Sequence, residues 1–206
     1  MKLYYAPGAC SLAPHIALKE AGLPHELVRV DLREHKLPDG SDFYAVNPKG
    51  YVPVLELPDG QRLSELAVIL QYIADRNPGT LAPAFGTLDR YRVMEWLNFI
   101  ATEIHKGWGP LWKPNTPDAY KEIAIANVAR RFDFIEPVLA KQPYLTGETF
   151  TIADAYLFTI VNWHKFLKLD LAKWPKLAAF QIRVAARPKV HEALKAEHLV
   201  SEARAA

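Results

Sequence analysis

The only cysteine of the chain, Cys10, lies in the opening stretch MKLYYAPGACSL. A short apolar run precedes it, Pro7-Gly8 is a turn signal, and a helical pattern begins at Ser11. A sulfur at the start of a helix faces unpaired backbone N–H groups, which stabilise a thiolate together with the helix dipole, and Ser11 could add a hydroxyl donor. A lone cysteine is also often a small buried side chain, so a reactive and a structural role both stay open.

A single cysteine limits the chemistry that the thiol can perform. No C-x-x-C pair exists, so a redox role would need an external thiol. The chain also cannot form an internal disulfide framework, which is typical of a reducing compartment.

A second candidate is Ser64-Glu65, which lies where a strand pattern gives way to a helical one. The first N–H groups of a helix favour a carboxylate, and Glu65 could hold an ammonium group. This pair could therefore bind both charged groups of an amino acid. The alternative is an ordinary helix cap at Ser64 followed by a glutamate that the helix dipole favours.

The stretch NPKGYVPVLELPDG places Pro53 at the front of a predicted strand. Proline cannot donate to a strand ladder, which favours an edge or a special turn. A cis Val52–Pro53 bond would turn the backbone groups of Val52 outward, where they could pair with an extended peptide. A trans proline on an edge strand is the alternative.

A third stretch, EWLNFIATEIHKGWGPLWKP, carries Asn98, Thr102 and His105 at steps of four and three, which predicts one shared helix face. His105 and Lys106 could stabilise a thiolate or transfer a proton. An ordinary solvated face is the alternative. The aromatic residues that follow, in a segment rich in Gly and Pro, suggest a pocket wall or an interface.

Hydrophobic periodicity divides the chain into an α+β part and an all-helical part. Strands are predicted at 2–5, 25–31, 52–57 and 61–63, and helices at 11–21 and from 64 to about 77. Residues 78–86 are rich in Pro, Gly and small side chains and are interpreted as a linker. Helices are predicted at 88–108, 120–140, where Pro137 should end or kink the helix, 151–167, 175–185 and 189–196. Thr151 and Asp154 form a capping-box signal.

Composition excludes several function classes. The 206 residues are half hydrophobic and carry a net charge of +2, without the concentrated basic face that nucleic-acid binding requires. Pro7-Gly8 interrupts any signal-peptide core, and the apolar stretch 155–163 is too short to cross a bilayer. A cytoplasmic protein that binds neither nucleic acid nor a membrane is expected.

The order and spacing of five strings, taken together, resemble the bacterial glutathione S-transferases of the beta class over essentially the whole chain. The strings are KLYYAPGACSLAPHIAL, NPKGYVPVL, SELAVILQYIAD, EWLNFIATEIHKG and FTIADAYLF. The resemblance implies a thioredoxin-like domain with a mixed four-stranded sheet at 1–77 and an all-helical domain at 87–206. It also implies a homodimer, partly through the helical domain, with glutathione as co-substrate in each subunit and no metal.

The resemblance also implies roles for individual residues. Cys10 would lie beside the glutathione sulfur, and Val52, before a cis Pro53, would pair with the cysteinyl part. Glu65 and the backbone of Leu66 would hold the γ-glutamyl end. Further glutathione-site positions, reached at least partly across the dimer, are Asn98, Thr102, Glu103, Ile104 and His105. His105 and Lys106 match a polar pair near the sulfur.

Two positions depart from the family pattern. Leu66 replaces a small residue that commonly follows the glutamate, so a side-chain hydroxyl is lost there while the backbone N–H remains. His35, with Lys36 adjacent, occupies the place of a lysine near the glycyl carboxylate, so the charge at that end could depend on pH.

The expected function is transfer of the glutathione thiolate to small hydrophobic electrophiles. The electrophile would be walled by Trp108, Pro110, Leu111, Trp112 and Trp163. A variant within this class is thiol–disulfide chemistry, in which Cys10 forms a mixed disulfide with glutathione. The alternative from another class is a non-catalytic glutathione-binding or regulatory protein on the same fold.

Overall fold

The computed structural model describes residues 1–167 and 169–200, and it divides into two compact units. The first contains Met1–Ala82 together with the described residues from Ala186 onward, and the second is Pro83–Ala185. The sequence division placed everything after residue 86 in the helical domain. The last helix groups with the first unit instead, because it packs on the first helix of that unit. Residue 168 and residues 201–206, within the predicted range 87–206, lie outside the described part.

A mixed four-stranded sheet forms the centre of the first unit, as the resemblance implies. Its strands are β1 (Lys2–Tyr5), β2 (Glu26–Arg29), β3 (Val54–Glu56) and β4 (Arg62–Leu63), in the order β2-β1-β3-β4. β1 is parallel to β2 and antiparallel to β3, which pairs with β4 across a hairpin turn at Pro58-Asp59-Gly60. Gly60 supplies the positive φ of 84° that this turn uses.

Among its described residues, the first unit contains three α-helices: α1 (Leu12–Glu20), α2 (Leu66–Arg76) and α8 (Pro188–Ala196). α2 buries an apolar stripe, because Ile69, Leu70 and Ile73 recur at helical spacing on one face. A short 3₁₀ turn, Phe43–Ala45, lies in the polar stretch between β2 and β3. The start of α2 was predicted two positions too early, since the helix begins at Leu66 and Glu65 is its N-cap residue.

The second unit is helical. It contains α3 (Leu88–Phe99), a π-helical segment (Ile100–His105), α4 (Lys106–Trp108), α5 (Asp118–Leu139), α6 (Ile152–Val161) and α7 (Pro175–Ala185). Short 3₁₀ turns lie at Gly109–Trp112, Asn162–Lys165 and Leu171–Lys173. The single helix predicted for 88–108 is therefore interrupted by π-helical bonding. Pro137 is accommodated in the last turn of α5, and all ten residues of α6 are buried.

The predicted capping box at the start of α6 is confirmed. The Asp154 carboxylate accepts from the backbone N–H of Thr151 at 2.8 Å, from its hydroxyl at 2.9 Å, and from the N–H of Leu145 at 2.8 Å. Burial raises the pKa of Asp154 to about 6, against the opposing effect of these donors. The box therefore also fastens the preceding loop to the helix.

Among the described residues, no helix combines the length and the apolar character that crossing a membrane requires.

Candidate functional site

Cys10 lies in the turn between β1 and α1, two residues before the helix begins. Gly8 enters the turn with φ 71°, and the N–H of Ala9 bonds to the carbonyl of Ala6 at 3.0 Å. The half-buried thiol donates to the backbone carbonyl of Val52 at 3.3 Å. The fold thus joins two predicted site residues that are 42 positions apart in the chain.

Ser11 is fully buried, and its hydroxyl does not have the predicted role of a donor to the Cys10 sulfur. Its hydroxyl accepts from the N–H of Ala6 at 3.1 Å and donates to the carbonyl of the same residue at 3.2 Å. The hydroxyl therefore closes the turn that carries Cys10. The prediction that it donates to the sulfur is wrong, because the backbone of Ala6 already uses it.

A residue near the chain terminus also holds this turn, and sequence reasoning missed it. The carboxylate of Glu197 accepts from the N–H of Gly8 at 3.0 Å and lies 2.8 Å from Nδ1 of His15 on α1. Both side chains are fully buried. A glutamate and a histidine 182 positions apart give no local pattern, so only the packing of α8 on α1 reveals the pair.

The loop that leads to Pro53 is fixed by another residue that sequence reasoning passed over. The side-chain amide of Asn47 donates to the carbonyl of Tyr51 at 2.7 Å, and its oxygen accepts from the N–H of Lys49 at 3.2 Å. The Val52–Pro53 bond is cis, as the resemblance implies. The Asn-Pro pair at the start of the NPKG string was the available signal for such a loop.

Glu65 stands at the N-cap of α2 with its side chain 72% exposed. Its carboxylate accepts a hydrogen bond from the ammonium group of Lys49 at 2.6 Å. Leu66 begins the helix and is buried, so it offers a first-turn backbone N–H and no exposed side chain. This corner can hold an ammonium group at Glu65 and a carboxylate at the helix start.

His35 and Lys36 lie in the loop after β2. His35 has a positive φ of 51° and its ring stacks on Tyr44 with centroids 4.6 Å apart. Its buried Nδ1 has no hydrogen-bond partner among the described residues. Gly50 lies under both rings, because a Cβ there would stand 2.8 Å from Tyr44 and 3.1 Å from His35. Lys36 is exposed.

His105 ends the π-helical segment of the second unit. Its Nδ1 lies 2.7 Å from the hydroxyl of Tyr156, and its ring meets Trp163 edge-on at 5.1 Å. Burial, and secondarily the charge of Lys106, lower the pKa of His105 to about 4. The imidazole is therefore neutral at pH 7, while the exposed Lys106 supplies the positive charge of the pair.

The predicted common face of Asn98, Thr102 and His105 is not formed. Asn98 and Thr102 are exposed, and the hydroxyl of Thr102 donates to the carbonyl of Asn98 at 3.0 Å. His105 turns instead toward buried Tyr156. The reason is the π-helical segment, whose wider turn changes the angle between successive side chains.

Glu103 and Ile104 have structural contacts of their own. Glu103 pairs with Arg131 of α5, whose Nε lies 2.9 Å from the carboxylate. The side chain of Ile104 is fully buried, so the prediction that it contacts a ligand can hold only for its backbone.

The aromatic residues divide into core and surface. Trp108 is 0% exposed and packs against Phe132, so its prediction as an exposed pocket wall is wrong: it continues the buried stripe of α3. Trp112 is 47% exposed and meets Trp163 edge-on at 5.5 Å. Pro110 and Leu111 are half-buried and can present an apolar surface with Trp112, whereas Trp163 is only 8% exposed and contributes mainly through its contact with Trp112. The described residues contain no group of three or more His, Cys, Asp or Glu placed to hold a metal.

Both parts of the chain match known protein families. The model for the N-terminal domain of glutathione S-transferases matches residues 8–76, and the model for their C-terminal domain matches residues 99–188. Among curated relatives, the glutathione S-transferase GstA of Escherichia coli O157:H7 is 48% identical over 201 residues, which cover 97% of this chain and 100% of the relative.

Solved structures agree with this match. A sphingomonad glutathione S-transferase complexed with glutathione is 46% identical, with a TM-score of 0.93 and coverage of 97% of this chain and 100% of the other. A beta-class glutathione S-transferase of Sphingomonas chungbukensis is 44% identical with the same TM-score and the same coverage.

Proposed function

The chain belongs to the glutathione S-transferase family, and from this premise we propose that it transfers the glutathione thiolate to small hydrophobic electrophiles. The observation that carries the proposal is the meeting of Cys10 with the carbonyl of Val52 before a cis proline. A thiol beside the backbone of Val52, just before strand β3, suits a cysteine-containing peptide, because that backbone could pair with the peptide while the turn receives its sulfur.

The glutathione site that we propose in the first unit uses its charged corner. The Lys49 ammonium donates to the Glu65 carboxylate at 2.6 Å, and the ammonium of the γ-glutamyl group would take its place. The helix N–H of Leu66 would take the neighbouring carboxylate, and Val52 and Pro53 would align the cysteinyl part. His35 and Lys36 would serve the glycyl carboxylate, which the buried Nδ1 of His35 supports.

From the second unit we propose His105 and Lys106 as catalytic residues, with Asn98, Thr102 and the backbone of 103–105 as further glutathione contacts. Lys106 would provide the positive charge that favours a thiolate. His105 would act as a neutral group, because its lowered pKa leaves it uncharged at working pH. The electrophile would lie on the apolar surface of Trp112, Trp163, Pro110 and Leu111.

We further propose a homodimer in the cytoplasm. Aromatic residues on α3 and α5 support the dimer: Trp96 and Phe99 contact Phe134, which is 56% exposed. An exposed aromatic cluster of this kind is typical of an interface. We expect Phe134→Glu to convert a dimer into a monomer in sedimentation equilibrium, whereas a monomeric wild-type chain would contradict the proposal.

A second activity is favoured by the thiol of Cys10 itself. In thiol–disulfide exchange, the Cys10 thiolate attacks the glutathione sulfur of a mixed disulfide, which breaks the S–S bond and releases the other sulfur as a thiolate that takes up a proton. A second glutathione thiolate then attacks the Cys10–glutathione disulfide. Oxidised glutathione leaves, and the Cys10 thiolate is restored.

The experiment compares wild type, Cys10→Ala and Cys10→Ser in two assays, conjugation of an aryl halide and glutathione-dependent reduction of a mixed disulfide. We expect both substitutions to abolish disulfide reduction. If Cys10 acts only in exchange, conjugation is unchanged in both variants. If Cys10 assists conjugation as a donor, the serine variant retains more activity than the alanine variant.

The same experiment tests the non-catalytic alternative. Glutathione binding by the wild-type chain is measured as a thermal shift at millimolar concentration, and turnover is measured across a panel of aryl halides, epoxides and disulfides. Binding without turnover of any substrate in the panel would contradict the proposed enzyme. Absence of both the thermal shift and turnover would contradict glutathione binding as well.

A further inference from the structure

A buried tyrosine contacts His105 inside the second unit. Tyr156 lies in the middle of α6, is 1% exposed, and places its hydroxyl 2.7 Å from Nδ1 of His105. The two rings are nearly perpendicular, at 88° with centroids 5.8 Å apart. This short contact between a phenol and an imidazole fixes which nitrogen of the histidine is engaged.

The contact can be formed in two ways, and the acid–base character of the groups favours one. A neutral imidazole has one N–H and one acceptor nitrogen, while a phenol can donate or accept. The phenolic O–H is a stronger donor than a neutral imidazole N–H, and the imidazole nitrogen is a stronger acceptor than a phenolic oxygen. A hydrogen bond from Tyr156 to Nδ1 is therefore the stronger of the two.

The surroundings of the ring keep it neutral. Two side chains that contact it, Tyr156 and Trp163, are uncharged, and the neighbouring Lys106 disfavours a second positive charge. Burial also disfavours the imidazolium, which is consistent with the low pKa of His105. With Nδ1 accepting from the tyrosine, the single proton of the ring lies on Nε2.

We propose that Tyr156 is a positioning residue that holds His105 as the neutral tautomer protonated on Nε2. His105 then serves as a hydrogen-bond donor, and Lys106 is the cation of the pair. The tautomer does not depend on the proposed function, whereas its consequence for catalysis rests on the proposed role of His105 in glutathione transfer.

The direct test is nuclear magnetic resonance of protein labelled with ¹⁵N-histidine, at pH 7, with His105→Gln to assign the signals. We expect long-range ¹H–¹⁵N correlations of His105 to show an unprotonated Nδ1 and a protonated Nε2. In Tyr156→Phe, the two nitrogens should move toward the averaged shifts of mixed tautomers. A wild-type ring protonated on Nδ1, or on both nitrogens, would overturn the proposal.

The catalytic consequence is tested with Tyr156→Phe and a matched control on the same helix, Thr159→Val. Thr159 is also buried, and its hydroxyl donates only within α6, to the carbonyl of Ala155 at 2.9 Å, among the contacts that the structure gives it. Loss of one neutral hydrogen bond corresponds to about a three- to tenfold decrease. We expect this decrease in kcat for Tyr156→Phe, with an unchanged KM for glutathione, and no change in kcat for Thr159→Val.

Equal losses in the two variants would assign Tyr156 a purely structural role and contradict its effect on catalysis. If the wild-type chain shows no transferase activity, the proposed function fails, while the resonance experiment still decides the tautomer.

Discussion

Cys10 in the first unit and His105 in the second are held by different means. The turn at Cys10 is fixed mostly through backbone groups: the carbonyl of Val52 receives the thiol, and the backbone of Ala6 and Gly8 is tied by Ser11 and Glu197. His105 is held by contacts between side chains, among them those with the hydroxyl of Tyr156 and the edge of Trp163.

This difference predicts which substitutions each site can tolerate. A backbone-built site keeps its geometry when a neighbouring side chain changes, provided that the residues tying the turn remain. A site built from packed side chains depends on each ring around it, because a closely packed aromatic cluster leaves no space for a side chain to move. We therefore expect distant residues to control the first site and adjacent rings to control the second.

The largest expected effect comes from Glu197→Ala, which removes the tie on the Cys10 turn. The N–H of Gly8 and Nδ1 of His15 would lose a buried partner, at a cost of about 3–5 kcal/mol in the free energy of unfolding. Urea unfolding measures this. Glu192→Ala, an exposed glutamate of α8 paired with Lys189, is the control and should leave stability unchanged. A small change in the free energy of unfolding for Glu197→Ala would mean that the turn keeps its conformation without this carboxylate.

Asp154→Asn tests the buried capping box of the second unit through its pH dependence. The folded-state pKa of Asp154, about 6, lies above its unfolded value, so the protonated carboxyl stabilises the fold below about pH 4. This contribution is lost as the pH rises toward 6. Relative to Asp154→Asn, the wild type should lose about 2 kcal/mol between pH 4 and 6. Parallel stability curves for the two proteins would contradict a raised pKa.

His105→Gln should show the opposite sign. The folded-state pKa of His105, about 4, lies below its unfolded value near 6.5, so the neutral ring stabilises the fold above about pH 6.5 and this contribution is lost on acidification. Between pH 7 and pH 5, the wild type should lose about 2 kcal/mol more than His105→Gln. Chemical unfolding at the two pH values measures this. Equal losses would show that the ring is solvated and not packed.

The smallest expected effect is at Gly50 in the first unit. Both Gly50 and Gly60 have positive φ, but a Cβ at Gly50 would crowd Tyr44 and His35, whereas one at Gly60 meets nothing within 4 Å. Gly50→Ala should therefore destabilise by about 1 kcal/mol more than Gly60→Ala. It should also weaken glutathione binding, which a titration of each variant measures. Equal affinities would argue against a ligand contact at His35.

The two regions also differ in how far the sequence predicts them. The strands, the hairpin turn and the helix after Cys10 follow from alternation, turn residues and a local N-terminal signal, so the placement of Cys10 was predictable. The tie from Glu197 was not, because its partners are close only in space. In the second unit, α-helical spacing placed His105 on the exposed face of Asn98, and the π-helical segment made that wrong.

Trp108 shows a further limit of sequence reasoning. Its aromatic side chain suits a ligand wall and a core equally well by composition. The step of four from Ile104 predicts the core, and the structure buries both side chains completely. Periodicity was the better guide than residue type here, because a helix buries whatever its inner face carries.

The most direct test of the account is a glutathione titration of ¹⁵N-labelled protein followed by amide resonances. We expect saturable shifts for the N–H signals of Cys10, Val52 and Leu66 at millimolar glutathione. Ala172, at the N–H bound by Asp170 in the second unit, should not shift. Absence of saturable shifts at Val52 and Leu66, or shifts confined to other parts of the chain, would contradict a glutathione site built on the Cys10 turn.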